Sequence, residues 1–320
     1  MSGMEQSPAI EVRGLTRTFG DNPAVAGLDL DVARGELFGL VGPDGAGKST
    51  AIRLLCGLLQ PTGGTAHVLG LELRIQPDRI KARIGYLSQN FTLYGDLTVD
   101  ENIAFFAALH GVGDYRARRD ELLAFTRLTP FRGRLAQALS GGMKKKLALA
   151  CTLIHTPELI LLDEPSTGVD PVSRGEFWNI LSDLLAQGVT IFMTTPYLDE
   201  AERCHRLGLM HRGRIIRTGT PAELRAALPG QVFRLDSPAL TAAYHALRQR
   251  WPADRLVLYG DRLHFWTHSG AAEARAAAAE LEQRGLGPVA WREITPSLED
   301  VFVGLLGAES AAAEVENEQR

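Results

Sequence analysis

The chain has 320 residues, of which 45% are hydrophobic, 7% aromatic and 22% charged. That composition is ordinary for a soluble globular protein and long enough for two domains. A net charge of −4 gives no electrostatic reason to expect a nucleic-acid partner, and no apolar run approaches the ~20 residues a membrane-spanning helix needs.

The opening stretch MSGMEQSPAI lacks the basic-then-apolar pattern of a secretion signal. Residues 36–41, ELFGLV, form a short apolar run that stops at Gly42, as a buried parallel strand feeding a glycine-rich turn would. From Lys48 the pattern turns helical, with Ile52, Leu55 and Leu59 on one face. Residues 98–155 read as mostly helical, a subdomain of their own. Residues 158–162, ELILL, predict a second buried strand that ends at Asp163 and Glu164. A helix over 173–186 leads to a third strand, Val189–Thr194. Strands alternating with helices predict an α/β domain with a largely parallel sheet. Cys56, Cys151 and Cys204 lie far apart in apolar or helical stretches. They form no metal-ligand spacing and read as buried free thiols in a reducing cytoplasm.

Near residue 221 the character changes. Strands are predicted over 231–236, 254–259, 262–267 and 288–294, the middle pair joined by a Gly260-Asp261 hairpin turn. Helices are predicted over 237–250 and 270–284. The order β-α-β-β-α-β suggests a ferredoxin-like α+β domain. A last helix starts near Ser297, its N-cap, and puts Leu298, Val301, Phe302 and Leu305 at helical spacing. The expected domains are 1–220, with the helical part at about 90–156, then 221–306, and a disordered tail over 307–320. There is no internal repeat.

The run Gly42-Pro43-Asp44-Gly45-Ala46-Gly47-Lys48-Ser49, followed by Thr50, satisfies GxxxxGK[ST]. Glycines let backbone N–H groups curl around phosphate oxygens, and the helix that follows aims its positive dipole end at them. Lys48 adds a point charge on the terminal phosphates, and the Ser49 hydroxyl is placed for Mg²⁺. Asp163, 115 residues beyond Lys48 (163 − 48), can hold the metal through water. Glu164 can orient or deprotonate the attacking water.

Together with this loop and ILLDEPSTGVDP, the stretch Leu139-Ser140-Gly141-Gly142-Met143 resembles the ATP-binding subunits of ATP-binding-cassette (ABC) transporters over roughly residues 10–220. The resemblance implies a P-loop NTPase cassette with bound ATP and Mg²⁺. It implies that Phe19 stacks on adenine and that Gln89 senses Mg²⁺ and the attacking water. It further implies that Ser140, Gly141 and Gly142 bind the γ-phosphate of ATP held by the opposite subunit, and that Asp170 couples the two sites. A site at the start of a helix at about 141–155 makes physical sense as an anion site; Lys144, Lys145 and Lys146 either add positive potential there or form a solvated helix face. The ending Ile294-Thr295-Pro296-Ser297-Leu298-Glu299-Asp300-Val301-Phe302 is similar to subunits of drug-resistance-type exporters with separate membrane subunits. The implied setting is the cytoplasmic membrane face, with the region around 90–110 touching membrane permease subunits.

Three positions depart from the family. Asp44 stands for the usual Asn and brings a negative charge beside the phosphates. Met143 stands for the usual Gln. Pro196, in MTTPYLDEAERC, stands where the family's histidine touches the γ-phosphate, and proline has no donor. Thr195 as N-cap and Pro196 as first helical residue would suit the local sequence. His205, nine residues on (205 − 196), would lie about 13 Å along a helix and too far to substitute. The expectation is a degenerate own site, an intact signature acting in trans, and a different ATP-binding subunit as partner rather than a second copy. A ribosome- or repair-associated ATPase, or a regulatory nucleotide-binding module, are the alternatives.

Overall fold

A computed structural model describes residues 7–90 and 93–306. It divides into two compact units, one up to Ile216 and one from Arg217.

The first unit is built around a six-stranded sheet. Its order is Arg214–Gly219, Arg206–His211, Leu37–Val41, Thr190–Thr195, Leu159–Asp163, Ile84–Leu87. From Arg206–His211 to Ile84–Leu87, neighbouring strands pair in parallel. Leu37–Val41 and Leu159–Asp163 are buried at every position, which is why 37–41 and 159–162 read as short apolar runs, the second ending at the buried Asp163. The register sets Val41 opposite Thr195, and Asp163 opposite Thr194. The carboxyl ends of three strands therefore finish in one row. In open α/β sheets that row is where ligands bind.

A second, antiparallel sheet has the order Asn22–Val32, Ile10–Phe19, Gly63–Val68, Leu71–Glu72. The sequence reading did not anticipate it. Register shifts after Val12, Leu15 and Arg17 break the strict alternation that signals a strand. One core cluster joins both sheets to the helix Lys48–Leu55, with Ile52, Leu54 and Leu55 fully buried against Ile10, Val12 and Phe38. Each such side chain contributes about 1.5–3 kcal/mol by burial. On the other side of the six-stranded sheet lie the helices Val99–Leu109, Arg116–Phe125, Gly141–Leu153 and Pro171–Ala186, around Ile103, Leu123, Leu147 and Leu181. A capping box of Thr98 and Glu101 fixes the start of the first of these. All three cysteines are free and buried.

In the second unit, Gln231–Asp236, Leu256–Tyr259, Arg262–Thr267 and Ala290–Ile294 form an antiparallel sheet. With the strands taken in chain order, the sheet reads two, three, one, four. Helices Leu240–Leu247 and Ala271–Gln283 complete the β-α-β-β-α-β, ferredoxin-like arrangement. The first of these helices is shorter than expected, because residues 238–239 and 248–250 form turns rather than helix. The terminal helix, 298–306, starts where the sequence placed it. Ser297 Oγ accepts from the Asp300 N–H at 3.1 Å, and Asp300 accepts back from the Ser297 N–H at 2.8 Å. The expected tail over 307–320 lies outside the described residues. No helix among the described residues is long and apolar enough to cross a membrane.

Candidate nucleotide site

The loop after Val41 can turn as it does only with glycine at two places. A side chain at Gly42 would put its Cβ 2.2 Å from the Met210 carbonyl oxygen. One at Gly47, where φ is +105°, would meet the Ala24 carbonyl at 2.2 Å. No side chain caps the helix that begins at Lys48, so the N–H groups of its first turn are left for an incoming anion. Lys48 folds back over the loop, its Nζ donating to the carbonyls of Gly42 (2.8 Å) and Pro43 (3.1 Å).

Two carboxylates face this loop from the end of Leu159–Asp163, one strand beyond the neighbouring Thr190–Thr195. Asp163 Oδ1 accepts from Ser49 Oγ at 3.0 Å and from Thr194 Oγ1 at 2.7 Å. Its Oδ2 is buried and has no partner among the described residues. A buried carboxylate oxygen without a donor is costly, and a hydrated divalent cation next to Ser49 would satisfy it. The residues present therefore fit Mg²⁺. Glu164 sits at φ +48°, a conformation that costs a non-glycine residue about 1–3 kcal/mol. Its N–H is held by the Thr194 carbonyl and hydroxyl, both at 3.1 Å. The strain turns its carboxylate into the site: Oε1 lies 3.4 Å from Lys48 Nζ, and Oε2 accepts from Gln89 Nε2 at 2.9 Å.

Lys48, Ser49, Gln89 and Glu164 line one pocket of about 780 Å³, together with Asp44, Gly45, Gly47, Thr50 and Pro196; Gly42, Pro43 and Ala46 do not line it, and Asp163 meets it only through Ser49. Asp44 is exposed and has no ion-pair partner among the described residues, so its charge stands uncompensated within the loop. Phe19 is 46% exposed at the end of a hairpin, with the Arg17 guanidinium 4.6 Å from its ring centroid, so it is not a core residue. Its cross-strand partner Asn22 lines the pocket. Sequence reasoning missed Asn22, Pro23, Ala24, Tyr197, Arg212 and Gly213, all of which line it. A turn signal at Arg212-Gly213 was available, but only the sheet order brings that turn to the loop.

The signature residues lie elsewhere. Ser140 is the N-cap of Gly141–Leu153, its Oγ accepting from the Met143 N–H at 3.3 Å. Asp170 caps the next helix, accepting from the N–H groups of Val172 (3.1 Å) and Ser173 (2.9 Å). Ser173 holds its carboxyl below the usual range. The two helix starts are pressed together: a Cβ on Gly142 would sit 2.2 Å from Ser173 Oγ and 3.6 Å from Asp170 Oδ2. None of Ser140, Gly141, Gly142 or Asp170 lines the 780 Å³ pocket. The three lysines do not act together. Lys145 Nζ donates to the Gln89 carbonyl at 3.0 Å, Lys146 is buried against Glu176 at 2.8 Å, and Lys144 is exposed. Burial pushes the Lys145 ammonium down from its ordinary pKa.

The structure corrects the reading of the Pro196 turn. The helix begins two residues later, spans only Leu198–Ala201, and has Tyr197 at its N-cap position without a side-chain cap. Thr195 Oγ1 accepts from the Tyr197 N–H at 3.0 Å and donates to the buried Glu200 at 2.8 Å, which also accepts from Ser166. That local knot takes up Thr195 before a helix can start on Pro196. His205 lies just after this short helix rather than along it, and its Nδ1 accepts from the Leu37 N–H at 3.1 Å. Leu37 is the far end of the strand from the phosphate loop, about 13 Å away at the usual rise per residue. His205 is therefore committed elsewhere.

A parallel sheet with a phosphate loop at its carboxyl edge, paired carboxylates at the end of a second strand and a helical layer carrying Ser140-Gly141-Gly142 define a P-loop ATP-binding cassette, an ABC-type ATPase fold. The ABC transporter family profile matches residues 25–167. The chain is 42% identical over 229 residues to the probable multidrug ABC transporter ATP-binding protein YbhF of Escherichia coli K12. The match covers 71% of this chain but only 39% of that protein's length. It is 38% identical to the daunorubicin/doxorubicin resistance ATP-binding protein DrrA of Streptomyces peucetius, covering 93% of this chain and 92% of DrrA. It is also 35% identical to the Nod factor export ATP-binding protein I of Ralstonia nicotianae, covering 96% of each. Among solved structures, cbiO1 of Clostridium perfringens, described as part of an ABC transporter complex, superposes with a TM-score of 0.64 at 27% identity, over 69% of this chain and 92% of that one. The dimeric bacterial cassette MJ0796 does so with 0.61 at 26%, over 66% of this chain and 98% of that one. The chain belongs to the ATP-binding proteins of ABC transporters.

Proposed function

We propose that this chain is the ATP-binding subunit of an exporter whose path is formed by separate membrane permease subunits, and that its own ATP site is degenerate. The names of DrrA, YbhF and the Nod factor export protein support export, and none of them names a cargo for this chain. The observation that carries the degenerate-site reading is the wall of the nucleotide pocket. Lys48, Ser49, Gln89 and Glu164 are assembled there, with Asp163 bonded to Ser49, while residue 196 faces the same pocket as a proline with neither a side-chain donor nor an N–H.

In this reading, the Gly42–Thr50 loop cradles the phosphates and Lys48 exchanges its contact with Glu164 for them. Ser49 and Asp163 would hold Mg²⁺, which would draw charge from the transferring phosphate. Glu164, held by Gln89, orients the attacking water. Ser140, Gly141 and Gly142, which lie outside the pocket, serve ATP on a second cassette, with Asp170 linking the sites. That the related cassette MJ0796 has a structure described as dimeric supports a pairing of two cassettes. A partner cassette that retains its histidine, rather than a second copy of this chain, would make the complex competent. Tyr94, Phe105 and Leu109, exposed on and just before the helix Val99–Leu109, offer an apolar patch for a permease at the cytoplasmic membrane face. ATP turnover by the purified chain alone tests the reading. The account expects a rate about 10²–10³ below that of a competent site. Turnover at the roughly 10 s⁻¹ common among enzymes would overturn it.

A further inference from the structure

We propose that Arg212 is a nucleotide-binding residue of this chain, contacting the α- and β-phosphates of ATP or ADP from the flank opposite Glu164. This rests on the nucleotide reading of the pocket.

Four observations carry it. Arg212 is exposed, lines the same pocket as Lys48 and Ser49, and has no hydrogen-bond or ion-pair partner among the described residues. It sits in a two-residue turn between Arg206–His211 and Arg214–Gly219 with positive φ at both positions, +45° at Arg212 and +79° at Gly213. Such a turn prefers Asn or Asp before Gly, so arginine here goes against local preference. Strain of that kind is found where a side chain is needed for function.

The turn is also fastened to the phosphate loop. The Gly213 N–H donates to the Ala46 carbonyl at 2.9 Å, and its own carbonyl accepts from Ala26 at 2.8 Å. Arg212 is thus one residue from a direct bond to the loop. Finally, the sheet order fixes the side from which it enters. Arg206–His211 flanks Leu37–Val41 on one side, and the strands that end at Thr195 and Asp163 flank it on the other. Arg212 therefore approaches the nucleotide away from the transferring phosphate, beside Asn22–Ala24.

Arginine suits this position because its planar fork binds phosphate oxygens bidentately. The test measures equilibrium dissociation constants of ATP, ADP and adenosine for the full chain and for three variants. Arg212→Asn suits the left-handed turn, Arg212→Lys keeps the charge, and Lys48→Ala controls for the site itself. Arg212→Asn is expected to weaken ATP and ADP equally, by about tenfold, a typical effect for one charge-assisted contact, and to leave adenosine unchanged. Arg212→Lys should recover part of that loss. Unchanged ATP and ADP binding in Arg212→Asn would overturn the proposal, as would a loss confined to ATP or shared by adenosine. If Lys48→Ala also binds ATP like the wild type, the nucleotide reading itself is wrong.

Discussion

Replacing Pro196 by histidine should restore hydrolysis to this chain's own site. Residue 196 shares the pocket with Lys48, Gln89 and Glu164, and it contributes no donor. One positioned donor to the charge that develops in the transition state is worth about 10²–10³ in rate, or about 2.7–4 kcal/mol. The structural cost is small, because the helix starts at Leu198 and not on the proline. Removing the proline frees the unfolded chain by about 0.4–1 kcal/mol, which lowers the melting midpoint of a unit this size by about 2–4 °C at most. The assay is steady-state phosphate release at saturating ATP and Mg²⁺ from purified Pro196→His, with Pro196→His/Glu164→Gln as the blank. A folded, ATP-binding Pro196→His chain that hydrolyses no faster than wild type would refute the reasoning.

Further outcomes follow from the same geometry. On the proposed metal site, in which the orphaned buried oxygen beside Ser49 anchors Mg²⁺, Asp163→Asn should abolish the gain in ATP affinity that the metal gives; titration with and without a chelator reads this. Gly142→Ala should destabilise the chain by about 1–3 kcal/mol, since its Cβ would overlap Ser173, while Gly141→Ala has only a 3.8 Å contact and should not; thermal denaturation separates the two. Stability should also fall as pH drops below 6.5. Burial holds both His110 and His155 below that value, and in His155 the Nε2 bonds the Ile84 carbonyl while the buried Nδ1 has no acceptor for a second proton. A depressed histidine pKa means that the unfolded chain binds more protons, so acid favours unfolding. His110→Phe keeps the stacked ring pair, whose centroids are 3.9 Å apart, and should lessen the pH slope of the melting temperature; an unchanged slope would count against this assignment.

The parts of the fold legible in the sequence were those fixed by local pattern. Residues 37–41 and 159–162 read as strands because burial on both faces leaves only apolar residues and glycine. The glycines at 42 and 47 announced the loop because neighbouring carbonyls leave no room for a Cβ. Ser297 was readable because an N-cap is a local bond. What could not be read depends on long-range placement or on competition for one group. The antiparallel sheet was hidden by bulges near Gly14 and Gly27. The start of the helix at Leu198 is decided by Glu200, which draws Thr195 and Ser166 into one knot. The different fates of Lys144, Lys145 and Lys146 depend on Gln89 and Glu176, which are far away in sequence. Arg212 enters the site only because its strand is the neighbour of Leu37–Val41.

The central claim is that this chain helps to hydrolyse ATP held by its partner more than its own. The direct measurement is ATP turnover by the native transporter, purified through a tag on this chain, with one residue changed at a time. The account predicts that Ser140→Arg, which blocks the signature helix start, lowers turnover by about 10² or more, as loss of an oxyanion-type site does, while Glu164→Gln leaves it nearly unchanged. Collapse of turnover in Glu164→Gln, with Ser140→Arg tolerated, would contradict it.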